Sequence, residues 1–351
     1  MAMASSSSIS ASRPRPSLFS PKTLVGQIPA TLLPRSIPNP NLTSIAISNS
    51  RSSPLPLKYS TSPSELAVAT PSVTLKPRLA AGETLYGLFL LSSSPTLAEI
   101  AGLAGYDYVV IDVEHGAGGI SDALPCIRAL AATRTAAIIR VPEPTAALTK
   151  KALDLGPQGI MFPSVENPEA AALAVSYCRF PPRGIRGTAH PVVRASGYGI
   201  DDGYLSRYEE DLLIMVQVET AAGVSQIEAI AGIEGVDCVQ MGPLDLSASM
   251  GLLWDPGNKK VRTVLREAEG RVLRMGREDR RGPWLGGFAM PHDGPVELKA
   301  RGYHMVAGAV DIGMFREAAV EDVLRFRRAE VEIGEEEDDG EKPGDAEYWS
   351  E

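Results

Sequence analysis

The sequence lacks several features that would each assign it to a class of protein. No apolar run approaches the roughly 18 residues of a membrane-spanning helix, which excludes a membrane bundle. The three cysteines, Cys126, Cys178 and Cys238, stand singly without Cys-x-x-Cys spacing, so we interpret them as reduced thiols of an intracellular protein. The net charge of −9 disfavours a nucleic-acid partner, because phosphate contacts need clustered Lys and Arg.

Acidic residues are absent from residues 1–64, although six Lys and Arg occur there. This stretch is rich in Ser and Pro and has no helical or strand periodicity, so we predict that it is disordered. Such a composition is typical of an organelle transit peptide. We expect a chloroplast address, with a mitochondrial address or a disordered cytosolic extension as the alternatives.

The last residues, 332–351, have the opposite bias, with ten Asp and Glu against one Lys. We predict an acidic disordered tail, either a solvated extension or a partner-binding segment. The whole length allows two domains or one large barrel. Once both ends are set aside, residues 65–331 have the length of one (β/α)₈ barrel.

Short β-branched or apolar runs alternate with Ala- and Leu-rich segments of helical spacing throughout residues 65–331. The predicted strands are 85–91, 106–112, 136–141, 159–163, 213–219, 236–242, 284–290 and 303–309. The predicted helices are 96–104, 124–132, 146–153, 168–178, 224–231 and 259–275. Buried strands joined by helices imply a parallel sheet, and eight such units favour a closed TIM barrel. A doubly wound open sheet is the alternative, disfavoured because no Gly-x-Gly-x-x-Gly follows the first strand.

A barrel of this kind has its active site at the carboxyl ends of its strands. Four predicted strands carry polar residues at this end. Asp112 ends the second strand and His115 follows it, Arg140 lies near the end of the third, Glu219 ends the fifth, and Asp245 follows the sixth. Because these strand ends converge on one mouth, we expect the side chains to form one site.

These residue types suit carbon–carbon bond chemistry beside a carbonyl group. Glu219 and Asp245 offer hard oxygen ligands to a divalent ion such as Mg²⁺ or Mn²⁺. Arg140 offers a charged fork for a carboxylate or for an enolate oxygen. His115 suits proton transfer, and Asp112 is expected to orient its ring.

Each residue also has a structural interpretation. Asp112 could be a strand-end hydrogen bonder, Arg140 could pair with a neighbouring acid, and Glu219 or Asp245 could serve in ion pairs or as helix caps. The basic segment 179–187, after the fourth strand, could be a substrate lid or a subunit contact. The joint placement at one end of four strands favours the functional interpretation.

The ordered series of motifs resembles the HpcH/HpaI aldolases, metal-dependent class II pyruvate aldolases of the phosphoenolpyruvate/pyruvate barrel superfamily. The resemblance covers roughly residues 87–323 and leaves out both ends. Its marks are Ala104-Gly105-Tyr106-Asp107, Ile111-Asp112-Val113-Glu114-His115-Gly116, Arg140-Val141-Pro142, Leu153-Asp154-Leu155-Gly156-Pro157-Gln158-Gly159-Ile160, Pro181-Pro182-Arg183-Gly184 with Arg186-Gly187, Gln217-Val218-Glu219-Thr220, and Gly242-Pro243-Leu244-Asp245-Leu246-Ser247.

The resemblance implies metal ligands at Glu219 and Asp245, an enolate-stabilising Arg140, and a catalytic His–Asp pair at His115 and Asp112. It further implies substrate contacts by Arg140, Gln217, Gly242 and Leu244, with Mg²⁺, Mn²⁺ or Co²⁺ as the metal. The implied reaction cleaves a 2-keto-3-deoxy sugar acid, or a related 4-hydroxy-2-oxo acid, to pyruvate and an aldehyde. The implied assembly is a homo-oligomer, a trimer or a hexamer, with a helix exchanged between subunits.

Two departures from the family pattern affect the pocket. Leu244 stands where the family commonly has Ala, and Pro157 stands where it often has Ala after Gly156. Neither removes a catalytic group, and both leave the aldehyde open. The competing functions are a citrate-lyase-type enzyme that cleaves a CoA thioester, and a catalytically silent barrel that acts as a binding protein.

Overall fold

The computed structural model describes residues 74–279 and 282–338, and these contain a closed parallel barrel. Its strands are β1 (Leu85–Leu90), β2 (Tyr108–Asp112), β3 (Ala136–Arg140), β4 (Gly159–Phe162), β5 (Leu213–Val218), β6 (Cys238–Met241), β7 (Trp284–Phe288) and β8 (Met305–Val310). Each strand pairs with the next in the chain, and β8 pairs with β1. The predicted barrel and all eight predicted strands are confirmed, with ends that differ by one or two residues.

Alternation of side chains along each strand builds two separate apolar layers. In β2, Val109 and Ile111 pack with residues of the surrounding helices, whereas Tyr108 and Val110 fill the barrel interior. Because successive side chains point to opposite faces, the next interior position is Asp112. The interior rows run Tyr108, Val110, Asp112 in β2; Ala136, Ile138, Arg140 in β3; and Leu213, Met215, Gln217 in β5. An apolar interior therefore ends in polar groups at the carboxyl mouth.

Twelve α-helices lie within the described residues. They are α1 (Leu75–Ala80), α2 (Pro95–Ala104), α3 (Ile120–Ala132), α4 (Ala146–Asp154), α5 (Pro168–Cys178), α6 (Tyr204–Asp211), α7 (Ala221–Ser225), α8 (Ile227–Ala231), α9 (Pro243–Ser249), α10 (Lys259–Asp279), α11 (Pro295–Arg301) and α12 (Asp311–Asp338). Helices α2, α4, α5 and α7 begin after Ser94, Thr145, Asn167 and Thr220, whose side chains accept amide protons of the first turn. The predicted helix 224–231 is divided between α7 and α8.

Helix α1 closes the amino end of the barrel. Leu75 and Leu79 are almost completely buried and pack with the interior residues of the strands. The ammonium of Lys76 lies 2.9 Å from a carboxylate oxygen of Asp237, which precedes β6. With this end filled by side chains, the opening at the carboxyl end remains for a ligand.

A buried charge network joins the loop after β7 to the helix layer. Arg301 donates to both carboxylate oxygens of Asp293 at 2.7 Å, and its Nε donates to Glu269 at 3.0 Å. The Tyr303 hydroxyl donates to the same Glu269 carboxylate at 2.7 Å. The network holds Asp293, and with it the loop that leads from β7 into α11.

Replacing Arg301 by methionine should destabilise the fold by about 3 kcal/mol, because two buried carboxylates lose their short hydrogen bonds and keep only the longer contacts with Arg266. The matched control is Arg207→Met, which removes an arginine from pairs with Asp201 and Asp211 at the surface. That control should cost less than about 1 kcal/mol. Urea unfolding of both variants measures the difference, and equal losses would contradict the buried role of Arg301.

The final helix differs from the predicted boundary between barrel and tail. Helix α12 continues to Asp338, so residues 332–338, assigned above to a disordered tail, are helical. The run of Glu residues explains the extension, since Glu is a good helix former. The predicted leader 1–64 and the remaining tail residues 339–351 lie outside the described residues. No helix within the described ranges combines the length and apolar composition that a bilayer crossing requires.

Candidate active site

An ion pair between neighbouring strands forms the centre of the carboxyl mouth. The barrel register places Asp112 of β2 directly beside Arg140 of β3. Arg140 Nε donates to Asp112 Oδ1 at 2.9 Å, and its Nη2 donates to Oδ2 at 2.5 Å. Both side chains are buried. This two-point pairing fixes the plane of the guanidinium.

The remaining nitrogen of Arg140 faces two further oxygen groups. Nη1 donates to Oε1 of Gln217 at 3.4 Å and lies 2.9 Å from Oε2 of Glu114. The ring of Phe89 lies below the guanidinium, 5.1 Å from its central carbon. Arg140 is thus held on three sides, and both the structural and the functional interpretation of this residue are compatible with its surroundings.

The expected contact between Asp112 and the His115 ring is not observed. The oxygens of Asp112 face Arg140, and Oδ1 also accepts the backbone amides of Glu114 and His115 at 3.0 and 3.3 Å. These hydrogen bonds to the backbone amides turn the chain at the mouth, and the His115 side chain is largely exposed. The carboxylate that approaches the ring belongs to Glu114, at 3.8 Å from Nε2.

Glu219 continues the interior row of β5 and is buried at the mouth. Its Oε1 accepts from the Ser164 amide at 2.8 Å and from the Ser164 hydroxyl at 3.1 Å, and its Oε2 accepts from the Gln217 side chain. Burial raises the pKa of the Glu219 carboxyl, and the Asp245 carboxylate raises it further. Glu219 is therefore oriented by three donors and lies close enough to Asp245 for repulsion between the two charges.

Asp245 lies in the first turn of α9 and is exposed, whereas Leu244 before it is half-buried. Within the described ranges, no group of three His, Cys, Asp or Glu side chains forms a metal cage. A cation held by Glu219 and Asp245 would therefore keep positions for water or substrate oxygens. Two mutually repelling carboxylates fit the preference of Mg²⁺ and Mn²⁺ for oxygen ligands.

Gly242 allows Glu219 to occupy this position. A methyl group at residue 242 would lie 2.6 Å from both Cβ and Oε2 of Glu219, closer than carbon contacts permit. The Gly242 amide donates to the carbonyl of Val218 at 3.3 Å, which ties the end of β6 to β5. The predicted site residue Gly242 thus contacts Glu219 itself.

Gly242→Ala should weaken Mn²⁺ binding about 10- to 100-fold, because the methyl group displaces a proposed ligand. The control is Gly257→Ala, whose methyl group would meet His292 Nδ1 at an ordinary 3.4 Å. Titration of the stripped protein with Mn²⁺ measures both affinities. Equal affinities in the two variants would show that Glu219 does not depend on this glycine.

Segment 179–187 and Pro157 lie at the amino end of the barrel, opposite the mouth. Segment 179–187 follows α5, and its Arg179 contacts Gly235 in the loop before β6, so it lies at the amino end. The interpretation of this segment as a lid over its own mouth is therefore wrong, whereas a contact with another subunit stays open. Pro157 also precedes a strand, β4, and so lies away from the mouth of its own chain.

Three contributors to the mouth were not identified as site residues from the sequence: Ser164, Phe89 and Glu114. Ser164 follows β4, so the rule of strand ends could have found it. Phe89 looked like an ordinary core residue. Glu114 belongs to the motif of residues 111–116, but the spacing of that motif does not indicate which side chain Glu114 contacts.

Comparisons with known proteins identify relatives of this chain. Residues 85–318 match the family described as HpcH/HpaI aldolase/citrate lyase. The chain is 34% identical over 247 residues to a hydroxypyruvate/pyruvate aldolase of Chromohalobacter salexigens, covering 70% of this chain and 94% of that protein. It is 34% identical over 252 residues to a 2-keto-3-deoxy-L-rhamnonate aldolase of Salmonella gallinarum, covering 72% and 92%.

A solved structure of a protein of the same family also has the same fold as this chain. The HpcH/HpaI aldolase/citrate lyase family protein of Burkholderia cenocepacia superposes with a TM-score of 0.66 at 37% identity. The match covers 72% of this chain and 98% of that one. The chain therefore belongs to the HpcH/HpaI aldolase/citrate lyase family and is a carbon–carbon lyase.

Proposed function

We propose that this protein is a divalent-metal-dependent aldolase that cleaves a 2-keto-3-deoxy sugar acid, or a related 4-hydroxy-2-oxo acid, to pyruvate and an aldehyde. The observation that carries the proposal is that the mouth brings together the fixed guanidinium of Arg140 and the carboxylate of Glu219, which Asp245 approaches in turn. Relatives named pyruvate aldolase and 2-keto-3-deoxy-L-rhamnonate aldolase support this substrate class.

In this proposal Glu219 and Asp245 would hold the ion, with Mg²⁺ first and Mn²⁺ or Co²⁺ as alternatives. When bound, the ion supplies positive charge that polarises the keto group of the substrate. Arg140 stabilises the negative charge that develops on the enolate oxygen, while Gln217, Gly242 and Leu244 line the pyruvyl site. Their fixed positions provide stabilisation without reorganisation during the reaction.

The exposed ring of His115 is suited to move a proton at the distal end of the substrate. It would take the proton of the 4-hydroxyl group as the C3–C4 bond breaks, directly or through a water molecule. The aldehyde leaves with its new carbonyl, and the electron pair of the broken bond forms the enolate. Protonation of the enolate at C3 gives pyruvate, which balances atoms and charge.

The test is a coupled assay of pyruvate release over a panel of 2-keto-3-deoxy sugar acid stereoisomers, with the metal-stripped protein and added Mg²⁺, Mn²⁺ or Co²⁺. We expect turnover of at least one stereoisomer with a divalent ion and loss of turnover in chelator. The chelated protein should recover when the ion is restored, which separates metal loss from unfolding. Undiminished turnover in chelator would overturn the metal-dependent mechanism.

A second candidate follows from the family description, which joins the aldolases to citrate lyase. A citrate-lyase-type enzyme would use the same acidic metal site to cleave a CoA thioester. His115, which suits a distal hydroxyl, favours the sugar-acid aldolase. Cleavage of citramalyl-CoA or malyl-CoA without any cleavage of sugar acids would reverse this ranking.

We propose that the protein is a homo-oligomer, a trimer or hexamer, assembled through α12. This helix is about 42 Å long at 1.5 Å per residue and contacts β1 and β8 of its own barrel, but Asp311 is the only buried residue among residues 311–328. It exposes Phe315, Val320, Leu324 and Phe326, and burial of such a stripe against another copy would stabilise an assembly. Sedimentation should show dissociation of Phe315→Glu but not of Val296→Glu on α11, and unchanged assembly in both would contradict the proposal.

We further propose that residues 1–64 direct the protein to chloroplasts. Their Ser-rich composition without acidic residues supports an organelle address. A fluorescent protein fused behind residues 1–64 should accumulate in chloroplasts of plant cells. Accumulation in mitochondria or in the cytosol would select one of the alternatives.

A further inference from the structure

We propose that Glu114 is a positioning residue that acts on both Arg140 and His115, a proposal that rests on the aldolase function proposed above. Its carboxylate lies between the two groups, with Oε2 at 2.9 Å from Arg140 Nη1 and Oε1 at 3.8 Å from His115 Nε2. A single side chain thus connects the group that stabilises the enolate with the group that moves the proton.

The local fold explains how Glu114 reaches this position. Its amide and that of His115 are both bonded to Asp112 Oδ1, so the chain turns directly after β2. Gly116 completes the turn, since a methyl group there would lie 2.1 Å from the carbonyl oxygen of Asp112. The turn directs the Glu114 side chain inward over Arg140 and leaves His115 at the opening.

Arg140 has a second anionic partner besides this carboxylate. Asp112 already neutralises Arg140 through two hydrogen bonds. Among the described residues, Glu114 Oε2 is buried without a hydrogen bond, because its contact with Arg140 lacks hydrogen-bond geometry. Oε2 is therefore held near Arg140 by charge rather than by a directed hydrogen bond, which suits a group that positions its neighbours for the reaction.

The charges around Glu114 indicate what it contributes. It is approached by the cation of Arg140 and by His115, and also by the carboxylates of Asp112 and Glu219. In the ground state its negative charge repels the carboxylate of a bound substrate. When His115 accepts a proton, the same charge stabilises the new imidazolium, in the way that the aspartate of a Ser-His-Asp triad does. Glu114 therefore favours the transition state over the bound substrate.

The experiment compares Glu114→Gln with Glu143→Gln, which replaces an exposed glutamate on the loop after β3. With Mg²⁺ present, Glu114→Gln should lower kcat for cleavage about 30-fold and tighten pyruvate binding about threefold, measured by calorimetry. The control should leave both values unchanged. Loss of packing alone would not tighten binding, so the opposite signs separate positioning from a structural role.

Glu114→Asp and the double variant Glu114→Gln/His115→Ala complete the test. The shorter carboxylate of Glu114→Asp should slow cleavage and leave pyruvate affinity near the wild-type value. In a protein that already carries His115→Ala, adding Glu114→Gln should slow cleavage less than tenfold, compared with about 30-fold in the wild type. The difference is expected because part of the effect of Glu114 depends on the His115 ring.

Three results would overturn the proposal for Glu114. The first is that Glu114→Gln has the same kcat and the same pyruvate affinity as Glu143→Gln. The second is that Glu114→Gln lowers the Tm but leaves kcat per folded molecule unchanged. The third is that the wild-type protein releases pyruvate from no substrate, which would contradict the proposed aldolase function on which the Glu114 proposal rests. If the wild-type protein is active and Glu114→Gln behaves like it, only the Glu114 proposal is contradicted.

Discussion

Replacing Arg140 by methionine is expected to lower kcat/KM for pyruvate release at least 1,000-fold and to destabilise the fold by about 3 to 5 kcal/mol. The kinetic loss follows because no other cation among the described residues contacts Asp112, Gln217 and Glu114 together at the mouth. The loss of stability follows because Asp112 stays fully buried without its partner. Enzyme assays and urea unfolding measure the two effects.

Arg140→Lys separates charge from geometry. A lysine retains the positive charge but cannot form the two parallel bonds to Asp112, so we expect about a 100-fold lower kcat/KM with a smaller loss of stability. The control Arg128→Met removes an exposed arginine of α3 and should change neither quantity. Full activity in Arg140→Lys would show that the fixed plane of the guanidinium is unimportant.

Replacing Glu219 by glutamine is expected to weaken Mn²⁺ binding more than 100-fold and to reduce pyruvate release about 1,000-fold, since the ion supplies several kcal/mol of stabilisation. The amide has nearly the same shape, but it places an NH₂ group among the donors of Ser164 and Gln217. Titration with Mn²⁺ reports on binding without any turnover.

Glu166→Gln is the matched control for this substitution, because Glu166 lies on the same loop as Ser164 and is exposed. It should bind Mn²⁺ like the wild type. Excess Mn²⁺ should restore part of the activity of Glu219→Gln if the defect is one of affinity. Wild-type Mn²⁺ affinity in Glu219→Gln would contradict the assignment of this residue as a ligand.

The barrel was predictable because its strands carry a strong signal. Runs such as Tyr108–Asp112 and Leu213–Val218 are largely apolar on both faces, which is typical of a parallel sheet covered on both sides. The same logic predicted that Asp112, Arg140 and Glu219 would meet, since residues at the carboxyl ends of barrel strands share one mouth. The family resemblance added substrate chemistry that the spacing alone could not supply.

Contacts between side chains were less predictable, because they depend on register and on local turns. Asp112 pairs with Arg140 because β2 and β3 align those two residues, and a register shifted by two residues would leave the same faces apolar, so the pattern alone does not select this pairing. Its carboxylate therefore bonds to Arg140 and not to the His115 ring. The five-residue α7 and α8 were read as one helix, since a single Gln226 separates them.

Helix α1 also limits how far the chain can be shortened from its amino terminus. Leu75 and Leu79 each contribute roughly 1.5 to 3 kcal/mol by filling the amino end of the barrel. Lys76 adds its ion pair with Asp237. A truncation that removes part of α1 would therefore admit water to the apolar interior beneath the active site.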